Sequence, residues 1–354
     1  MNIAIFCTGS NPVPPKNYGG TQAVNWETAN ALVDRGHNVL LFAPKGSKSS
    51  ATVIKIYSGW GAEIEERNVQ RFLVPNKDNI DVIIDTSAYG FPGRYLLGKP
   101  YVARMGGDPN KTYCRFFSRN IVWPSQHHLA FHSMGDCSCS QRRPEGCNPP
   151  IIQKPVCYKF VENILDVFPL HETNLKRRLD YNPKDYYLYL GLIAQHKGTH
   201  LAIEFASRLG VKLNIVGPKD KSNYFETYIK PKLTHKIQYF EGTSNVNKWG
   251  LLAKAKAVIF PSTCEEGDPN VPKESLLVGT PVIALDGTVA EIIEDKVTGI
   301  VCKDVNEMLS RHREILYVDP YVCKEKVLEK FGVDRYIEKT LKVLDRAIKG
   351  EIWI

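Results

Sequence analysis

Two glutamates eight positions apart, Glu266 and Glu274, lie in residues 257–284, AVIFPSTCEEGDPNVPKESLLVGTPVIA, which read as strand, loop, helix, strand. Pro261 stops the first apolar run, and Pro269 and Pro272 prevent one continuous helix from carrying both acids. A short helix is predicted over about Pro272–Val278, closed by Gly279, with a further apolar strand at Pro281–Leu285. This order sets a helix N-terminus at the carboxyl end of a buried parallel strand. Open α/β sheets bind ligands there, and unpaired backbone N–H groups hold anions. An ionised carboxylate accepts hydroxyl donors well. Acids beside phosphate-binding amides therefore suit a ligand with phosphate in its middle and hydroxyls at both ends, as in a nucleotide sugar. Solvated loop charges are the plainer reading of the same two residues.

Other residues fit the same chemistry. Lys197 stands in the strand-to-helix loop Gly191–Gly198 and supplies a point charge for phosphate, or is an ordinary surface lysine. Gly19 and Gly20 sit at a loop-to-helix junction, where glycine permits close approach of backbone to a ligand or simply makes a tight turn. The three-glycine dinucleotide spacing is absent there. His128 and His132 precede Cys137, Cys139 and Cys147 in an irregular, turn-rich stretch. Thiolate and imidazole are zinc ligands, but the paired C-x-x-C spacing is missing, so an insertion is preferred to a structural metal site.

The elements that must position these groups alternate. Strands are predicted at Asn2–Phe6, Asn38–Ala43, Val53–Tyr57, Val82–Asp85, Tyr101–Arg104 and Ile121–Trp123, with a helix over Thr21–Arg35. After a linker around Val161–Tyr181 a second series follows, with strands at Tyr186–Leu190, Val211–Val216, Ile237–Phe240, Ala257–Phe260, Pro281–Leu285 and Ile300–Cys302. Helices are predicted near Thr199–Leu209, Tyr224–Leu233, Val246–Ala255, Val289–Glu294, Val305–Leu316 and Val333–Ile348. The last presents Ile337, Leu341, Leu344 and Ile348 as one stripe. Such alternation implies mostly parallel sheets covered by helices on both faces.

At 354 residues, 43% hydrophobic and 24% charged, the chain has room for two domains with substantial cores. No run of about eighteen apolar residues suggests a membrane span. MNIAIFCTGSN reads as a first strand instead of a signal peptide, and nine scattered cysteines suit a reducing compartment, so a cytoplasmic protein is expected. A net charge of +8 allows weak peripheral contact with an anionic membrane, yet a mildly basic enzyme that handles diphosphates explains it as well. The basic residues are dispersed, which argues against nucleic acid as a partner.

Three features resemble family 4 of the glycosyltransferases, retaining enzymes of the GT-B fold. Tyr18-Gly19-Gly20-Thr21 with its helix and RGHNVLLFA resembles the family's first βαβ unit, Gly191 to Gly198 its lysine loop, and Glu266 to Glu274 with SLLVGTPVIA its paired-glutamate motif. The resemblance is strongest over Tyr186–Cys302 and weakens between Val53 and Asn182. It implies two facing Rossmann-like, doubly wound domains with a cleft between them. The first is an acceptor-binding domain over 1–165, with a C-terminal helix of 333–354 packing back on it; the second, over 166–332, binds the nucleotide sugar.

The resemblance also implies roles. Glu266 and Lys197 serve catalysis, Glu266 on a donor-sugar hydroxyl and Lys197 on the diphosphate. Glu274 holds the ribose, amides of Asp268, Pro269, Asn270 and Val271 orient sugar and diphosphate, Gly19 and Gly20 approach the diphosphate, and main chain near Tyr239 takes the base. No metal or other cofactor is required. The chain departs from the family at Leu192, where an arginine is usual, and at Thr86 and Gly106, near which the family often has histidines. Arg104 is the expected compensating base, with Lys219 or Lys221 second. The implied activity is hexose transfer from a UDP- or GDP-sugar to a hydroxyl of a glycan or glycolipid. The alternatives are a catalytically silent GT-B protein that binds a nucleotide sugar or a partner, and a sugar transferase acting on nucleic acid.

Overall fold

The computed structural model describes residues 1–15, 19–96, 98–104, 120–122, 185–242, 245–264 and 268–351. Glu266, the linker and the expected metal ligands His128, His132, Cys137, Cys139 and Cys147 lie outside them. The chain divides into two units, Met1–Pro169 with Val333–Ile354, and Leu170–Gly332.

In the first unit the order is β1 (Asn2–Phe6), α1 (Gly20–Asp34), β2 (Asn38–Pro44), β3 (Thr52–Ile56), α2 (Ala62–Asn68), β4 (Val82–Asp85), α3 (Phe91–Tyr95), β5 (Tyr101–Arg104) and β6 (Ile121–Val122). The sheet runs β3-β2-β1-β4-β5-β6, all parallel. Side chains alternate between its faces, and both faces are covered, which is why the strands read as near-continuous apolar runs. Ile3, Ile5, Leu41, Val82, Ile84 and Val102 pack with Ala29 and Leu32 of α1. Ala4, Phe6, Phe42, Ile83 and Ala103 face the other way, onto Val69 and Leu73.

The second unit holds β7 (Tyr187–Leu190), α4 (Thr199–Leu209), β8 (Leu213–Val216), β9 (Ile237–Phe240), α5 (Asn245–Lys254), β10 (Ala257–Phe260), α6 (Asn270–Leu277), β11 (Val282–Leu285), β12 (Gly299–Cys302), α7 (Val305–Arg311) and α8 (Pro320–Phe331). Its parallel sheet runs β12-β11-β10-β7-β8-β9, the same order as the first when each is counted from its own first strand. The last helix, α9 (Val333–Ile348), returns to the first unit and sets Tyr336, Ile337, Val343, Leu344 and Ala347 into its core. Ile348, placed on the buried stripe by periodicity, is exposed.

Several elements differ from expectation for local reasons. The predicted helix 224–233 resolves into a π turn, Phe225–Ile229, and a 3-10 turn, Lys230–Lys232, because Pro231 cannot donate to a helical ladder. The one over 289–294 is a single 3-10 turn, Thr288–Glu291; the chain reverses at Glu294, whose carbonyl accepts the N–H of Thr298. The helix expected over 305–316 stops at Arg311 and tightens into a 3-10 turn, His312–Tyr317. Helices α2, α3 and α8 were not anticipated. No helix among the described residues is long and apolar enough to cross a membrane.

Candidate active site

In each sheet the strand order reverses between two neighbours, β1 and β4 in the first unit and β7 and β10 in the second. Crevices at the carboxyl ends of such strand pairs are where open α/β sheets take ligands. Lys197 lies in the loop leaving β7, and α6 with Glu274 follows β10. The candidate groups of the second unit therefore flank one switch point.

The two loops are joined directly. The His196 carbonyl accepts the Thr263 N–H at 3.0 Å and the Thr263 hydroxyl at 3.2 Å. Gly198, at φ 69°, lies so close to the end of β10 that a Cβ there would stand 1.9 Å from the Pro261 carbonyl oxygen. Only glycine fits such an approach with that backbone. Gly217 after β8 packs equally closely, its hypothetical Cβ 1.8 Å from the Gly191 oxygen. Tyr239 of β9 donates its hydroxyl to the Gly217 carbonyl at 3.0 Å, and Tyr189 donates to the Leu192 carbonyl at 2.8 Å. Main-chain packing thus sets the position of the lysine loop. Leu192 places an aliphatic side chain where the resemblance anticipates an arginine. Lys219 lies with its ammonium 3.9 Å from the centre of the Phe225 ring and pairs with Glu226 at 3.5 Å.

Helix α6 begins at Asn270, two residues before the predicted start, with Pro269 as its N-cap in extended conformation. No side chain caps it. The amides of its first turn, Asn270 and Val271 among them, therefore have no partner within the helix, the arrangement that receives anions. Two ion pairs brace this helix. Lys273 and Asp268 meet at 2.6 Å with side chains 0% and 4% exposed. Burial pushes the Lys273 ammonium below its ordinary range, against the pull of Asp268. The Asp268 carboxylate is thus turned into the interior, and what it leaves to a ligand is main chain. Lys248 of α5 donates to Glu274 Oε1 at 2.7 Å, and both side chains are mostly buried. Neither lysine was singled out from sequence. Lys273 stands beside Glu274 just ahead of the apolar stretch SLLVGTPVIA, and Lys248 carries no signal, because the contact joins separate helices.

At the first unit's switch point Gly19 is the N-cap of α1 and Gly20 its first residue. Gln22 donates to Thr8 and Ser10 of the loop after β1, at 3.3 and 3.2 Å. Asn25 donates to Thr86 at 2.8 Å, which ties α1 to the residue following β4. Arg104 is buried at the end of β5; its guanidinium donates to Asn25 at 2.6 Å, to Thr28 at 3.3 Å and to the Tyr336 hydroxyl of α9. Those contacts brace α1 and α9 against the sheet. Nearby, the Glu65 carboxylate accepts the N–H groups of Ala88 and Tyr89, at 2.9 and 3.0 Å. Burial, and secondly the neighbouring Asp85, raise its pKa to about 7.

Comparison with known proteins follows this geometry. Residues 171–326 match the family model described as glycosyl transferases group 1. No curated protein matched the chain. Among solved structures it is similar to AviGT4, a glycosyltransferase involved in avilamycin A biosynthesis, with 20% identity, all of both chains covered and a TM-score of 0.74. It is also similar to sucrose-phosphate synthase from Thermosynechococcus elongatus, with 16% identity over 99% of this chain and 100% of that one, at a TM-score of 0.71. Anabaena HepE, solved in complex with UDP, is 14% identical over 98% and 100% of the two chains, with a TM-score of 0.67. These structures share the fold of two Rossmann-like units. Residues 171–326 are thus similar to the group 1 glycosyl transferases, and the chain has the GT-B fold of two Rossmann-like units.

Proposed function

We propose that the chain is a retaining, metal-independent hexosyltransferase that uses a UDP- or GDP-sugar and delivers the sugar to a hydroxyl of a glycan or glycolipid. The observation that carries this reading is the stitching of the lysine loop to the residues after β10, which brings Lys197 and the start of α6 to one switch point. In this reading the donor's diphosphate lies against Lys197 and the first-turn amides of α6. The anomeric carbon–phosphate oxygen bond breaks as a bond to the acceptor oxygen forms on the same face, and the acceptor's hydroxyl proton passes to the departing diphosphate, which takes up the developing charge. Fixed N–H dipoles and an ammonium placed where that charge develops lower the barrier without reorganisation. Glu274 keeps one oxygen on Lys248 and offers the other to the ribose hydroxyls. Glu266 takes a hydroxyl of the donor sugar. HepE has been solved with UDP-glucose as well as with UDP, which supports a uridine donor as the first to try.

Calorimetric titration with UDP, GDP and their glucose and mannose esters, with and without EDTA, tests the reading. Binding of one nucleotide family unaffected by EDTA is expected, together with slow release of labelled sugar to water. Glu274→Gln removes a charged acceptor worth about 1.5–3 kcal/mol, so affinity should fall roughly 10- to 100-fold. A chain that binds no nucleotide, or one that turns over only with a divalent cation, would end it.

A further inference from the structure

The segments after β3 and β4 carry a file of aromatic rings that begins at Trp60, clear of the core, and ends on Phe91 and Tyr95, which rest half-buried against it. Trp60 is 62% exposed and Tyr57 46% exposed. From Trp60 the rings step to Tyr89 (6.2 Å between centroids), then Phe91 (6.4 Å), then Tyr95 (6.4 Å). Trp60 is thus exposed at the end of a file whose other members, Tyr89, Phe91 and Tyr95, are half-buried, and an exposed tryptophan backed by further rings marks a binding surface.

The backbone beneath them is rigidly held. Asn68, buried, clamps Tyr57 from both sides, accepting its N–H at 2.9 Å and donating to its carbonyl at 3.0 Å. The Gly59 N–H donates to the Gly9 carbonyl at 2.8 Å, and Gly9 has no room for a side chain, since a Cβ would lie 2.7 Å from the Gly59 oxygen. Glu65 holds the main chain at Ala88 and Tyr89. Two buried side chains, Asn68 and Glu65, and one main-chain contact thus anchor these loops. They fix where the rings face, and through Gly9 they fix them relative to the loop that leads to Gly19 and Gly20.

We infer that this ledge binds the acceptor of the transfer reaction, with the acceptor's pyranose ring stacked on Trp60. The inference rests on the transferase reading and adds the acceptor's place and the ring on which its sugar stacks. A pyranose offers an apolar C–H face to an aromatic ring and a rim of hydroxyls to polar neighbours. The ledge supplies both kinds of partner: Tyr95 donates to Glu66 and accepts from Gln70 at 2.6 Å, so hydroxyl-matching groups border the rings. Sites for small ligands combine aromatic walls with a few placed polar groups in this way. Glu66 at the Tyr95 end of the file is paired with Arg94 at 3.8 Å, so both an acceptor and a donor for sugar hydroxyls border the rings.

Saturation-transfer NMR on the full chain, titrated with methyl α- and β-glucopyranoside, galactopyranoside and mannopyranoside, tests the ledge. At least one glycoside should bind saturably. Trp60→Ala should weaken it about tenfold, Trp60→Phe should retain most of the binding, and UDP affinity should be the same in all three proteins. Trp60 is exposed, so its removal leaves the fold intact. Equal glycoside binding by wild type and Trp60→Ala overturns the inference, as does a wild type that binds UDP but no glycoside. Burial of Trp60 in phosphatidylcholine–phosphatidylglycerol vesicles without glycoside binding also overturns it. A wild type that binds glycoside through Trp60 but no nucleotide would remove the donor reading and leave the ledge standing.

Discussion

After β10 the second unit buries an ammonium against a carboxylate, Lys273 on Asp268 at 2.6 Å; the first unit buries two acids near each other, Glu65 of α2 and Asp85 at the end of β4. Both sheets have the same strand order, and both need polar groups at their carboxyl ends to shape loops. The second unit meets the cost of desolvation with an opposite charge. In the first, backbone N–H groups and a proton meet it: Asp85 accepts the Ser87 N–H at 2.8 Å and the Tyr101 hydroxyl, and Glu65 titrates near 7. The difference teaches that the loop after β10 is held by paired opposite charges, whereas the loops after β3 and β4 are held in part by a carboxyl whose proton affinity burial has raised.

The most forceful way to break this comparison is to halve the ion pair. Lys273→Met leaves Asp268 buried without its counter-charge, and Asp268→Asn leaves Lys273 so; each should cost about 3–5 kcal/mol in urea unfolding. The joint replacement Asp268→Leu with Lys273→Met removes both charges and should recover most of that loss, because buried pairs exchanged for apolar residues are often neutral in stability. Single variants within about 1 kcal/mol of wild type would show that solvent reaches the pair and that the second unit does not depend on pairing.

The next effect is set by proton linkage at Glu65. Its folded pKa, about 7, lies above the ordinary 4.5, so the folded state binds the proton more tightly than the unfolded chain. The stabilisation is complete below 4.5 and fades as pH rises through 7, to a total of about 3 kcal/mol at 1.36 kcal/mol per pKa unit. Glu65→Gln, which mimics the neutral form, should therefore gain on wild type steadily between pH 5 and pH 8 in thermal melts, by roughly 2–3 kcal/mol. The difference should be flat with pH if Glu65 stays ionised throughout.

How far this was legible follows from the kind of contact involved. The two doubly wound units were readable because parallel strands covered on both faces become unbroken apolar runs, as in Ile3–Phe6 and Ala257–Phe260, and the turns between them carry glycine and proline. The lysine loop and the start of α6 were readable because their geometry is set by main chain, so Gly198, Gly217 and Pro269 are visible as residue types. Lys248 and Asn68 were not readable: each acts across elements far apart in sequence, and an isolated lysine or asparagine is most often a surface residue. Arg104 was noticed for its place at a strand end, yet its bonds to Asn25 and Tyr336 depend on where α9 returns, which periodicity alone does not give. Glu266, central to the motif, lies outside the described residues, and its role remains part of the proposal.

The smallest effect separates two ion pairs of the same helix. Lys273–Asp268 is sealed, while Lys248–Glu274 keeps side-chain exposures of 19% and 11% and so keeps contact with solvent. If Lys248 orients Glu274 for the ribose, Lys248→Met should weaken donor binding by about threefold to tenfold, or roughly 0.7–1.4 kcal/mol, and Lys248→Arg should restore most of it. The loss should appear in the donor KM with kcat little changed, since a contact made equally in ground and transition states affects binding alone. Stability should fall by no more than about 1 kcal/mol, as for a pair still partly hydrated. The opposite sign, tighter donor binding in Lys248→Met, would mean that the lysine competes with the ribose for the carboxylate. Of the two pairs on α6, only Asp268–Lys273 would then count as a brace.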